Sequence, residues 1–403
     1  MHFKSVYDVP DLKGKTVFLR ADLNSSVVEG RVVLSSRIRE HAKSIYYLVE
    51  EGAKVAVLSH QGRPGDDDFV SLYRHAKLIK KLLDRPVGFN TWEDNYTQSI
   101  KGLSNGEILV LENTRMVSDE HKELVSSEHA QCEMVKKLAP LGDLFVQDAL
   151  SICHRSHATV VGFAHHLPCV AGPFLSKELE ALHKLEEIKD KKLLVLGGSK
   201  LADSIKLLHK MLKSGKADEA CLGGLFGELF LKAKGFELGK KDGFFEMKGH
   251  DRLLPEAKKI LQEFGEKIVL PVDLAFKANG STNKHKRKEL KAEDLPTEFD
   301  TMDIGYDTVE LFKSKIKASN LAVFNGPMGV YEETAFRLGT KKILECLAFS
   351  RTYSILGGGD TERALSDLGL LPSDFQHMSL AGKALLQYLS DGTLPGLEIL
   401  GKK

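Results

Sequence analysis

Short apolar runs alternate along this chain with longer stretches in which apolar residues recur every three or four positions. The runs at 16–19, 54–58, 107–111 and 144–147 are rich in valine, leucine and isoleucine, and they read as strands buried on both faces. A second series follows at 192–196, 220–222, 267–270, 321–324 and 352–356. Between them, segments 36–51, 202–213 and 306–317 place apolar residues at i, i+3, i+4 and i+7, so each lines one face of a helix. Strand, crossover helix, strand is the repeating unit of a parallel sheet, and two such series predict an α/β protein. The expected architecture is two Rossmann-like wound parallel-sheet domains joined by a hinge helix. PCVAGP at 168–173 precedes a polar, helix-forming stretch, 175–192, which places the junction there. The polar, basic segment 279–295 reads as a solvated loop.

Composition narrows the class. A chain of 403 residues exceeds what a single hydrophobic core of about 250–300 residues supports, so two domains are expected. Lysine plus arginine number 57 against 56 for aspartate plus glutamate, which leaves no net field to draw nucleic acid or an anionic membrane. Small molecules are therefore the expected partners. The five cysteines are widely spaced, odd in number and without C-x-x-C, which argues against a disulfide framework or a zinc site. No signal-peptide core opens the chain, and no run approaches the roughly 18 apolar residues of a membrane helix, so a reducing, cytoplasmic setting is expected.

In wound sheets ligands bind beyond the carboxyl ends of the strands. The first half carries Asp22 and Asn24 there, then His60, Gln61, Gly62 and Arg63 in SHQGRP, Arg115 in LENTR, and Arg155 in QDALSICHRSH. Arginines at successive strand ends suit a small polyanion, because guanidinium forks bind phosphate and carboxylate bidentately. Arg37, opening the next helix, can join them. The second half offers glycine instead: GGSK at 197–200, Gly223 and Gly224, NGPMG at 325–329, and GGGD at 357–360. Glycine lets backbone N–H groups approach phosphates, and helix N-termini favour anions, so this half is built for a nucleotide. Asp360, ahead of Asp203, is the candidate oxygen ligand for a phosphate-bound Mg²⁺. Neither G-x-x-x-x-G-K-[ST] nor G-x-G-x-x-G is present, which excludes a P-loop enzyme and disfavours a dinucleotide fold. Cys153, His154 and His157 lie close in sequence but lack a further ligand nearby, and a metal reading is disfavoured.

RADLNSS, SSRIRE, SHQGRP, LENTR, VQDALSICHRSH, LGGSKLADSI, FNGPMGVYEETAF and LGGGDTERAL occur in an order and spacing similar to those of the phosphoglycerate kinase family. This resemblance implies reversible phosphoryl transfer between ATP and 3-phosphoglycerate, giving ADP and 1,3-bisphosphoglycerate, with Mg²⁺ and closure of two domains. It implies that Asp22, Asn24, Arg37, His60, Gln61, Gly62, Arg63, Arg115 and Arg155 hold 3-phosphoglycerate in a domain spanning 1–172. The nucleotide is expected on a domain spanning 173–378, against Gly198, Lys200, Gly223, Gly224, Asn325 and Pro327, and against Gly357, Gly358, Gly359 and Thr361. Glu332 is expected at the ribose and Asp360 on Mg²⁺. Arg37 and Lys200 are the implied catalytic cations, and 379–403 is expected to pack back on the first domain of a monomer. The chain departs from the family pattern at Ser204, where many members carry a second lysine and where serine looks like the archaeal branch, at Gln61, where leucine is usual, and in HMSLAGKAL at 377–385.

Overall fold

The computed structural model describes residues 3–278 and 287–402. They divide into two compact units, the first formed by Met1–Glu180 with Gly392–Lys403 and the second by Ala181–Asp391.

The first unit is built on six parallel strands: β1 (Thr16–Arg20), β2 (Lys54–Leu58), β3 (Val87–Asn90), β4 (Ile108–Leu111), β5 (Leu144–Gln147) and β6 (Cys169–Ala171), in the order β3-β4-β2-β1-β5-β6. Every residue of β1 is buried, as a central parallel strand covered on both faces requires. Helix α1 (Ser36–Glu50) lays Ile38, Ile45, Leu48 and Val49 on this sheet, and the Ser35 side chain caps it by accepting from Ile38 N–H. Helix α2 (Pro173–Glu187) starts on Asp148, whose Oδ1 accepts the N–H groups of Phe174 and Leu175 at 2.8 and 3.0 Å. The chain's end completes the unit: Lys4 N–H donates to Gly401 O at 2.6 Å, Gly396 N–H to Cys153 O at 2.9 Å, and Leu394, Leu397 and Leu400 are buried.

The second unit repeats the plan with β7 (Lys192–Leu196), β8 (Glu219–Leu222), β9 (Ile268–Val269), β13 (Leu321–Asn325), β14 (Tyr353–Gly357) and β15 (His377–Ser379), ordered β9-β8-β7-β13-β14-β15. The strands wind outward in both directions from β7, so the switch point lies between β7 and β13. Helices α3 (Leu201–Lys213), α4 (Gly224–Lys234), α5 (Lys240–Met247), α6 (Tyr306–Ala318), α7 (Gly359–Leu368) and α8 (Lys383–Asp391) belong to this unit. A separate antiparallel sheet joins β10 (Asp273–Lys277), β11 (Arg287–Lys291) and β12 (Thr301–Ile304) in the order β11-β10-β12.

Several boundaries differ from expectation. The split falls at 180/181, inside α2, instead of at 172/173. Residues 379–391 belong to the second unit, because β15 extends its sheet and α8 buries Ala384, Leu385, Tyr388 and Leu389; only 392–403 joins the first. Within the expected loop 279–295, Arg287–Lys291 is a strand. Its register is fixed by Arg287, which pairs with Asp303 Oδ2 at 2.7 Å and donates to Ile304 O at 2.7 Å. The remainder of that loop, 279–286, lies outside the described residues.

Candidate active site

The carboxyl ends of β1, β2, β4 and β5 bring together the polar residues of the first unit. Asp22 is buried and held by Arg37 Nε at 3.4 Å and by the Ser151 hydroxyl at 2.5 Å. Burial alone lifts a carboxyl, but Arg37, His60, the Ser151 hydrogen bond and His41 outweigh it and keep Asp22 well below the usual carboxylate range. Asn24 Oδ1 accepts from Gly62 N–H at 2.9 Å, and the Arg115 guanidinium donates to Gly62 O, so Gly62 is tied from both sides. Gly62 has φ of +65°, and a Cβ there would sit 2.6 Å from the Asp68 backbone.

The cations are crowded. Burial first, then the charges of Arg20, Arg63 and Arg155, push Arg115 down to about 10 against the pull of Glu120. Arg63 is exposed, and Arg155 donates to Glu123 Oε1 at 3.1 Å. Burial and the neighbouring arginines drive His60 well below its ordinary value, so the ring is neutral near pH 7. The Arg20 guanidinium has no acceptor, so its 3.1 Å contact makes His60 Nδ1 the acceptor and leaves the proton on Nε2. Gln61 does not join the ligand face. Its side chain is wholly buried, pairing with both Ser25 N–H and Ser25 C=O at 2.9 Å and meeting His75 Nε2 at 3.1 Å, so it braces the loop that carries Gly62 and Arg63.

Arg20 was not singled out in the sequence, although it stands in RADLNSS. It is fully buried, bonded to Thr159 Oγ1 at 3.0 Å and 4.0 Å from Glu120, whose carboxylate also accepts from Thr159 N–H at 2.8 Å. This network fixes one charge beneath His60 and Arg115. A buried charge in a β-strand is the available signal, since arginine is seldom fully buried unless paired.

In the second unit the glycine loops lock together at the switch point. Gly197 N–H donates to Asn325 O at 2.9 Å and Gly198 N–H to Pro327 O at 2.7 Å. Gly326 N–H donates to the buried Thr361 hydroxyl at 3.1 Å, and Asn325 Nδ2 to Gly357 O at 3.0 Å. Gly198, Gly224, Gly326 and Gly358 all have positive φ. A Cβ on Gly197 would lie 2.3 Å from Pro327 O, and one on Gly223 would lie 2.6 Å from Met328 Sδ, so the close approach requires glycine at both.

Beside these loops opens a cavity of about 560 Å³, within the range of small-molecule sites. Gly198, Gly224, Pro327, Glu332 and Asp360 line it, as expected. Gly223, Asn325, Gly357, Gly358, Gly359, Thr361 and Lys200 are not among its lining residues: the first six frame the loops behind it, and the Lys200 ammonium bonds to Asp360 Oδ2 at 2.8 Å. Sequence reasoning missed Leu225, Glu228, Lys241, Phe244, Leu274 and Thr301, which also line the cavity. Burial lifts the Glu228 carboxyl while Lys241 and Thr301 pull it down. Among the described residues no group of three or more His, Cys, Asp or Glu side chains could hold a metal. A single exposed carboxylate at the first turn of α7, Asp360, fits a hard cation that takes its remaining ligands from phosphate and water. All five cysteines are free thiols, four of them buried, and no helix among the described residues is long and apolar enough to cross a membrane.

The family profile described as phosphoglycerate kinase matches residues 6–392. A phosphoglycerate kinase of Methanopyrus kandleri is 37% identical over 98% of this chain and 97% of its own length. That of Saccharolobus solfataricus is 39% identical over 97% of this chain and 95% of its own. The crystal structure of the Pyrococcus horikoshii phosphoglycerate kinase superposes with a TM-score of 0.89 at 35% identity, covering 98% of both chains. With two wound sheets, a cationic cluster on one and glycine loops on the other, the chain belongs to the phosphoglycerate kinase family and is a phosphoryl-transferring enzyme.

Proposed function

We propose that the first unit holds 3-phosphoglycerate and the second holds ATP or ADP, for the family's reversible transfer that yields 1,3-bisphosphoglycerate. The observation that carries this reading is the cationic cluster at the strand ends of the first unit, where burial first and then Arg20, Arg63 and Arg155 push Arg115 down to about 10. Cations that destabilise one another in this way are stabilised by a polyanion, and 3-phosphoglycerate is one at neutral pH. Asp22 orients Arg37, and Asn24 and Gly62 fix the loop that presents Arg63.

The acceptor is a carboxylate, already ionised at pH 7. Its oxygen attacks the γ-phosphorus, the bridging bond to the β-phosphate breaks, and ADP leaves with the electron pair, so no side chain has to remove a proton. The neutral His60 is consistent with that. What remains for the protein is positioning and neutralisation of charge. Arg37 and Lys200 are assigned to the moving group, the N–H groups of the glycine loops to the phosphates, and Glu332 to the ribose. When bound, Mg²⁺ offsets phosphate charge, with Asp360 as its protein ligand; Lys200 is then free of the 2.8 Å contact it makes with that carboxylate. The enzyme is read as a cytoplasmic monomer acting on small molecules.

The test is a coupled assay of ADP formation with ATP, Mg²⁺ and 3-phosphoglycerate. Turnover that requires all three supports the assignment. Absence of turnover, or turnover unaffected by removing 3-phosphoglycerate, overturns it.

A further inference from the structure

Three successive residues of the first unit gather around one carboxylate, that of Glu123. Arg155 Nη1 donates to Glu123 Oε1 at 3.1 Å, Ser156 N–H donates to Glu123 Oε2 at 3.1 Å, and His157 Nε2 stands 3.5 Å from Oε1. Burial lifts a carboxyl, but the Ser156 N–H, His157 and Arg155 outweigh it and hold Glu123 below its ordinary value, so it is ionised at pH 7. The backbone on either side is pinned. His129 Nε2–H donates to Lys122 O at 3.0 Å and to Ser156 O at 2.7 Å, and the Ser156 hydroxyl donates to Leu124 O. The Glu123 side chain, 51% exposed, is what is left to move.

A carboxylate gripped by a guanidinium and a backbone N–H is held as an anionic ligand would be. Arg155 also depresses Arg115, so the residue that Glu123 neutralises is part of the cationic cluster. Resting on the reading that 3-phosphoglycerate occupies this unit, we infer that Glu123 is a placeholder for that substrate. It pairs with Arg155 in the ligand-free enzyme and has to swing away before Arg155 takes the substrate's phosphate, so it sets the affinity for 3-phosphoglycerate by competition. The phosphate wins the exchange because it carries up to twice the charge of a carboxylate at neutral pH and three acceptor oxygens. With residues 122 and 124 anchored to Ser156, the exchange is a side-chain rotation and leaves the loop in place.

The experiment measures 3-phosphoglycerate binding to the nucleotide-free enzyme by isothermal titration calorimetry. Glu123→Gln keeps the size of the side chain and an acceptor for Ser156 N–H but removes the charge. An exposed ion pair alters an equilibrium by up to about fivefold, so this variant is expected to bind 3-phosphoglycerate about threefold tighter than the wild type. Asp119→Asn removes the same charge from the same loop, where Asp119 pairs with Lys122 at 2.7 Å, and should shift Kd by less than about 1.5-fold. Arg155→Ala should weaken binding, and in that background Glu123→Gln should no longer tighten it. Unchanged or weaker binding by Glu123→Gln overturns the inference, since removing a mere brace of the loop costs affinity. Equal tightening by Asp119→Asn, or tightening that persists without Arg155, overturns it as well, because the effect is then one of net charge. If neither the wild type nor Glu123→Gln binds 3-phosphoglycerate, the reading of the first unit fails and the inference with it; if the wild type binds and Glu123→Gln binds no tighter, only the inference fails.

Discussion

Gly197→Ala adds one methyl group where the structure leaves no room for it. The new Cβ would lie 2.3 Å from Pro327 O, 2.7 Å from Met328 Cε and 2.9 Å from Gly326 O. The φ of Gly197 is not positive, so backbone strain is not the issue and only the contact counts. Since a Cβ does not approach other heavy atoms within 3.0 Å, the 326–328 loop must retreat by about 0.7 Å. That retreat loosens the hydrogen bonds Gly198 N–H to Pro327 O, 2.7 Å, and Gly197 N–H to Asn325 O, 2.9 Å. Overpacking of this kind costs about 1–3 kcal/mol of stability. Gly198 and Pro327 both line the cavity, and a shift approaching 1 Å in a positioning element can cost on the order of a hundredfold in rate. The coupled assay should therefore show kcat/KM for ATP reduced by about thirty- to a hundredfold, with denaturant unfolding shifted to match. Gly359→Ala is the internal control, because nothing lies within 4 Å of its Cβ and its N–H survives; it should change kcat/KM by less than about threefold. Equal effects of the two substitutions would refute the argument that loop contact sets the nucleotide site.

Lys200→Ala should lower kcat by on the order of a hundredfold with little change in the KM for ATP, because its charge acts as the phosphoryl group moves; a raised KM at constant kcat refutes that role. Arg63→Ala and Arg155→Ala should mainly raise the KM for 3-phosphoglycerate, and an unchanged KM in both refutes the cationic site. Lys383, at the start of α8, is 62% exposed with its ammonium 3.8 Å from Asp203, so Lys383→Ala should alter kcat by only about threefold. Gly382→Val should be far more damaging; the reason is its φ of +56°, since a Cβ there meets nothing within 4 Å. Steady-state kinetics of both variants decide the matter, a large loss in Lys383→Ala being the contrary result. His75 is lowered to about 4 by burial, so below pH 6.5 the unfolded chain takes up a proton that the folded chain refuses, and stability falls until about pH 4. His75→Gln, which keeps a donor for Gln61, should remove about 3 kcal/mol from that acid loss. Trp92, the only tryptophan, lies in the first unit and reports it in urea titrations; the same midpoint drop in both proteins between pH 6.5 and 4 refutes the assignment.

What could be read from the sequence was whatever repeats locally. The central strands are continuous apolar runs, and β1, β2, β5 and β7 fall within one residue of their expected bounds. Strands β3, β6 and β15 were not legible: each has four residues or fewer, and β3 is a partly exposed edge strand containing a glycine. The polar β11 hid for a related reason, since edge strands carry charge that masks their alternation. In the site, the glycine clusters and strand-end arginines could be named because residue type alone suggests their chemistry. Glu120 and Glu228 could not, and Gln61 could be named only as a ligand contact and not as a brace, because their roles depend on partners such as Thr159, Thr301 and Ser25, which lie 39, 73 and 36 residues away.

The return of Gly392–Lys403 to the first unit sets a timetable for synthesis. The second unit is one continuous stretch, Ala181–Asp391, and has all its own strands in hand as soon as that stretch leaves the ribosome. The first has β1 to β6 much earlier but lacks Leu394, Leu397 and the Gly401 carbonyl that receives Lys4 N–H. At about 5–20 residues per second, the 211 residues from 181 to 391 hold back that last piece for about 10–40 s. The half made first is thus the half finished last, and a nascent chain stalled before residue 392 carries a first unit with Cys153 O and Cys169 O lacking the N–H groups of Gly396 and Gly401.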